Sequence, residues 1–118
     1  MSLDDFFRGK DEARDFYEII AREIADLGEA TVRVSKSQVA FQRAKNVAIV
    51  WTPGQYLEGP VAPLVLTLSF PARDPSPRWK EIIEAAPNRF THHLELRAVE
   101  EIDDEVRAWL RAAWNAAI

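Results

Sequence analysis

A chain of 118 residues, 47% apolar and 29% charged, has the size and make-up of one folded domain that can bury a core without staples. It has no cysteine, which excludes disulfides, thiolate nucleophiles, iron–sulfur centres and cysteine-ligated zinc. A net charge of −4 argues against long-range attraction of the whole molecule to a phosphate backbone, although Arg33, Lys36, Arg43 and Lys45 share a stretch without acids.

The opening MSLDDFFRGK lacks the basic segment and apolar run of a secretory signal. The longest nearly apolar stretch, VAPLVLTLSF, is far shorter than the ~20 residues that span a bilayer. A soluble, cytoplasmic protein with no membrane partner is therefore expected. Phe6 and Phe7 form a short lead-in. In DEARDFYEIIAREIADLG, Ala13, Phe16, Tyr17, Ile20, Ile24 and Leu27 recur at helical spacing, with Asp11 placed to cap the start and Gly28 after the last turn.

The period then changes to two. TVRVSK, SQVAFQR and NVAIVWT read as three short antiparallel strands, PGQYLEGPVAP as a loop, and LVLTLSF as a fourth strand. RWKEIIEAAPNRFTHHLELR reads as a hairpin turning near Pro87 and Asn88, although its first arm also has helical propensity. DDEVRAWLRAAWNAAI closes the chain as a helix, with Val106, Leu110, Ala113 and Ala117 in its stripe and Trp109 and Trp114 on the edges. The whole predicts a single α+β domain over residues 1–118. It is an antiparallel sheet of five or six strands with the N- and C-terminal helices packed on one face.

Few residues carry chemistry. The only histidines, His92 and His93, are neighbours on a strand, so His92 points inward with Phe90, Leu94 and Leu96, and His93 outward. Such a pair cannot chelate one ion, and no metal site is expected. Buried, His92 is expected to be neutral with a lowered pKa. Lys36, Gln38 and Arg43 can hold a phosphate or carboxylate, or can be a charged strand edge. Trp51, at a strand end, is expected to line a cavity, and Arg78 with Trp79 can form a lip for a planar ligand. No Gly-rich phosphate loop, G-x-S-x-G turn or paired-carboxylate context is present, and no cofactor is expected. On the solvent face the tally is mostly small or polar, including Arg33, Ala40, Thr52, Thr67 and His93. Phe41, Trp51, Phe70 and Phe90 mostly have core parity, which argues against nucleic acid.

With VSKSQVAF, THHLEL and IDDEVRAWLRAAW in this order, the chain resembles the bacterial family described as domain of unknown function 5655, from about Asp11 to Ala117. The shared signals are a Lys-Ser turn before an aromatic-bearing strand, a Thr-His strand and an I-D-x-E-V-x-x-W-L helix start. The resemblance implies the same helix, sheet, helix layout and implies no activity. It meets the physical reading at Lys36, Gln38 and His92, whereas His93 departs from a pattern in which arginine is frequent.

The expected function is a non-catalytic binding module for a small anionic or planar ligand, using Lys36, Gln38, Arg43, Trp51 and His92. The alternative is an interaction or oligomerisation domain that uses the open sheet face or an edge strand, with a second copy as one partner. An enzyme with His92 as general base ranks last, because the sequence offers it no partner residue.

Overall fold

The computed structural model describes residues 1–55 and 59–118. A one-turn helix α1 (Leu3–Phe6) is closed by reciprocal bonds: the Asp5 amide donates to Ser2 Oγ and the Ser2 amide to the Asp5 carboxylate. It delivers Phe6 and Phe7, both buried, under helix α2 (Asp11–Leu27). That helix buries Ala13, Phe16, Tyr17, Ile20 and Ile24, the stripe its spacing predicts. Its start differs from expectation. Lys10 occupies the cap position without a side-chain capping bond, its ammonium donating instead to Thr52 Oγ1, so Asp11 contributes only charge to the first turn.

Six strands follow: β1 (Thr31–Val34), β2 (Val39–Gln42), β3 (Asn46–Trp51), β4 (Leu64–Phe70), β5 (Glu81–Ala86) and β6 (Arg89–Leu96). They form one antiparallel sheet in the order β1-β2-β3-β4-β6-β5. Strand β4 runs through the middle and is buried on both faces, which is why LVLTLSF is nearly continuous in apolar residues. EIIEAA, ambiguous by propensity, is strand β5. Asn88, at a φ of 61°, turns the chain so that β5 pairs with β6. The loop expected over 53–63 lies partly outside the described residues, and Pro53–Gln55 within it is a 3₁₀ turn.

Helix α3 (Asp104–Ala116) starts at Asp103, whose carboxylate accepts the Val106 amide. Both long helices cover the same sheet face. Tyr17 of α2 stacks on Phe41 with ring centroids 5.7 Å apart, and Trp109 of α3 reaches His92 through Trp79. The core lies between them, with Leu64, Leu66, Leu68, Leu96 and Leu110 fully buried. Each such side chain contributes about 1.5–3 kcal/mol on burial. Gly28 lets α2 end against α3, because a Cβ there would lie 2.5 Å from Cζ2 of Trp114.

Candidate functional site

The five residues singled out from sequence do not converge. Lys36 and Gln38 sit at the β1–β2 turn, where Ser35 Oγ accepts the Ser37 and Gln38 amides and Lys36 is exposed. Arg43 lies beyond the other end of β2, five positions or roughly 16 Å of extended chain from Gln38. His92 is on the helix-covered face with none of its surface exposed.

Trp51 corrects the expected parity. It pairs with Val65, which pairs with Glu95, so it stands on the outer face with Thr67 and His93. Its indole N–H donates to Thr67 Oγ1 at 3.2 Å, and that oxygen lies 2.7 Å from His93 Nδ1. Burial holds His93 below its ordinary pKa, with Glu81 pulling the other way. The outer face is less open than expected, since Ala40, Thr52 and Thr67 are all buried. Glu81 and Glu95 stand on it beside a single tryptophan, which is not a base-stacking platform.

His92 holds a loop. Its Nε2 accepts the Asp74 amide at 3.0 Å, so Nδ1 carries the proton and donates to the Phe90 carbonyl at 2.9 Å. The ring is packed edge-on by Phe70 and Trp79. Desolvation pushes its pKa down, as expected for a buried neutral imidazole. Asp74 in turn accepts from the Trp79 indole at 2.9 Å and the Ser76 amide at 3.1 Å. The expected lip of Arg78 and Trp79 is closed: Trp79 is buried, and Arg78 binds Asp103, Glu105 and the Glu101 carbonyl.

The basic stretch has a structural task of its own. Helix α3 has no basic residue in its last turn. Its free carbonyls are met instead by the β2–β3 turn: Arg43 Nη1 donates to the Trp114 carbonyl at 2.9 Å, and the Ala44 and Lys45 amides both donate to Ala117 at 3.1 Å. The Arg43 guanidinium lies 4.4 Å over the Trp114 ring. These are backbone and ring contacts from a neighbouring hairpin, so no local pattern in α3 announces them.

At this end of the sheet a hollow of about 340 Å³ opens beneath that turn. Its floor is Phe70 and Ala113. Its walls carry Lys45, Arg89, Asn88 and Asn115, and among the described residues no acidic side chain lines it. Among the described residues neither the Lys45 nor the Arg89 side chain has a hydrogen-bond or ion-pair partner. A larger hollow of about 710 Å³ lies between α2 and the β1–β2 hairpin, but its one cation is Arg43, already engaged, and Glu29 shares the rim. The smaller hollow is therefore the better anion receptor: two unengaged cations, carboxamide donors and an apolar floor.

Sequence reading missed Lys45, Asn88, Arg89 and Asn115 as a group. The signal lies in the strand order rather than in local pattern. Strand β5 runs parallel to β4 with β6 between them, so the Arg43–Lys45 turn, the end of β4 and the Asn88 turn meet at one end, whereas a simple up-and-down order would have put the Asn88 turn at the other. Among the described residues no cluster of three or more His, Asp or Glu could hold a metal ion. No described helix is long and apolar enough to cross a membrane.

This geometry defines a class: a small α+β layer protein with a cation-lined hollow at one sheet end. Within that class the chain belongs to the family described as domain of unknown function (DUF5655), whose model matches residues 3–117. No curated protein and no solved structure matches the chain.

Proposed function

We propose that this protein is a non-catalytic, cytoplasmic binding module for a small anionic ligand, and that the ligand occupies the hollow walled by Lys45, Asn88, Arg89 and Asn115. One observation carries the reading: on an acidic molecule, two cations whose side chains have no hydrogen-bond or ion-pair partner among the described residues face one hollow whose described lining has no acidic side chain. Other cations are matched, as Arg14 is by Asp4 and Glu18, and Arg107 by Glu23 and Asp104. Arg22, Lys36 and Arg111, which also lack an ion pair among the described residues, do not line this hollow. Catalysis has less support, since both ring nitrogens of His92 are committed to backbone groups and no surface reaches it.

The alternative, self-association through an edge strand, has one supporting observation: β5 is exposed, with Ile83 45% accessible. Antiparallel self-pairing centred on Ile82 and Ile83 would set Glu81 against Glu84 across the new ladder, which disfavours it.

The test is an amide chemical-shift titration of the labelled chain with inorganic phosphate and phosphorylated metabolites. Saturable shifts at Lys45, Asn88, Arg89 and Asn115, lost in Lys45→Ala and Arg89→Ala, are expected. Shifts confined to Lys36 and Gln38, or none, would overturn the assignment.

A further inference from the structure

The cationic hollow does not end at Phe70. A second hollow of about 290 Å³ runs on from it between residues 71–75 and α3, and the two share Phe70 and Pro71. Its character differs. Pro71, Ala72, Pro75, Ala112 and the margin of Trp109 give it flat apolar walls. Its charged lining among the described residues is Arg73, whose guanidinium lies 5.1 Å from the Phe90 ring, and one carboxylate, Asp74. Pro71 and Asp74 are three residues apart, so at most about 11 Å of chain separates the wall shared by the two hollows from that carboxylate.

Asp74 is ionised. Burial alone would raise its pKa, but the bonds from the Trp79 indole, the Ser76 amide and the Trp109 indole outweigh burial and hold it below the usual range. An ionised carboxylate only accepts hydrogen bonds. The Trp79 and Ser76 bonds both end on Oδ2. What lies against Asp74 must therefore present an N–H or O–H. A group offering only a carbonyl there meets repulsion and leaves its own oxygen unpaired.

Resting on the anion-site reading above, we infer that the ligand is a nucleoside monophosphate with an amino-bearing base. The phosphate is held by Lys45 and Arg89, the flat ring lies in the slot along Trp109 and Pro71, and the exocyclic amine donates to Asp74. Each part of the ligand answers a separate feature: the cations need an anion, the proline and tryptophan walls admit a flat ring, and the carboxylate selects a donor edge. Cytosine carries an amine at the position where uracil carries an oxygen, which makes the two a matched pair for reading that edge.

The experiment is calorimetric titration of the full chain with inorganic phosphate, cytidine monophosphate, uridine monophosphate and a short single-stranded oligonucleotide. Cytidine monophosphate is expected to bind at least tenfold tighter than phosphate and at least fivefold tighter than uridine monophosphate. Asp74→Asn, whose amide both donates and accepts, should bring the cytidine-to-uridine ratio close to one. Ala112→Trp, on an exposed helix position, fills the slot without touching the Asp74 bonds. It should abolish the gain over phosphate and leave phosphate binding intact, even if Asp74→Asn does not fold. Phosphate binding with no gain from the nucleotide overturns this inference and leaves the anion site standing. No binding by any probe overturns both. Equal affinity for the two nucleotides removes the role of Asp74, and tighter binding of the oligonucleotide overturns the small-molecule class.

Discussion

Arg78 and Arg89 flank the same hairpin arm and are used in opposite ways. Arg78 gives its N–H groups to Asp103, Glu105 and the Glu101 carbonyl and lies 5.5 Å from the Trp109 ring. The Arg89 side chain has no hydrogen-bond or ion-pair partner among the described residues and faces a hollow. The region around Arg78, His92 and Asp74 is a closed polar network in which every buried side-chain nitrogen and oxygen described has a partner. The hollow near Arg89 is an open one, with two unengaged cations and no acidic side chain among its described lining residues. Closed networks fix a fold, because leaving any member unpaired is costly. Open ones leave their donors for a ligand and contribute little to stability.

The sharpest way to break that contrast is to remove the centre of the closed network. His92→Ala deletes a fully buried ring and leaves the Asp74 amide without its acceptor, which should cost about 3 kcal/mol in urea unfolding. A loss below about 1 kcal/mol would mean that the loop holds without it. Arg78→Ala comes next. Its side chain is 28% exposed, so solvent screening limits the expected loss to about 1–2 kcal/mol.

Acid should reveal the same network. Folded His92 and His93 have lowered pKa values, so the unfolded chain takes up protons first. Their stabilisation is complete above the unfolded value of about 6.5 and declines as pH falls below it toward the folded values. Asp74 and Asp103 are also lowered, and their contribution, complete above about 3.9, is lost as pH falls through their folded values. Urea midpoints should therefore drop in two stages on acidification. A flat profile between pH 7 and 5 would contradict a neutral, buried His92.

The smallest effect is expected in the open region. Lys45→Ala and Arg89→Ala should each change stability by less than about 0.5 kcal/mol while weakening anion binding. A destabilisation as large as that of Arg78→Ala would show that these cations belong to the structural network after all.

Much of the frame was legible in advance. The stripe of α2, the alternation in FTHHLEL and the Pro-Asn reversal were each written in local sequence, and the structure has the corresponding elements. The inward and outward assignment of His92 and His93 followed from the pleat alone. Trp51 did not follow. Its face depends on pairing with Val65, and a residue at a strand end carries too little alternation to fix it. Arg43 and Lys45 were legible as basic but not as caps, since the carbonyls they meet belong to a helix some 70 residues away in the chain.

By itself, then, the sequence determined the order of the elements, the type of all but β5, and the apolar side of the long helices and of β6, because these depend on spacings of two to four residues. Tertiary structure alone decided which cations are consumed and which are left open, and whether Asp74 meets Trp109 or solvent. Those outcomes rest on contacts between strands and helices far apart in the chain. Local pattern sets the charge of a side chain, and only the fold sets its partner.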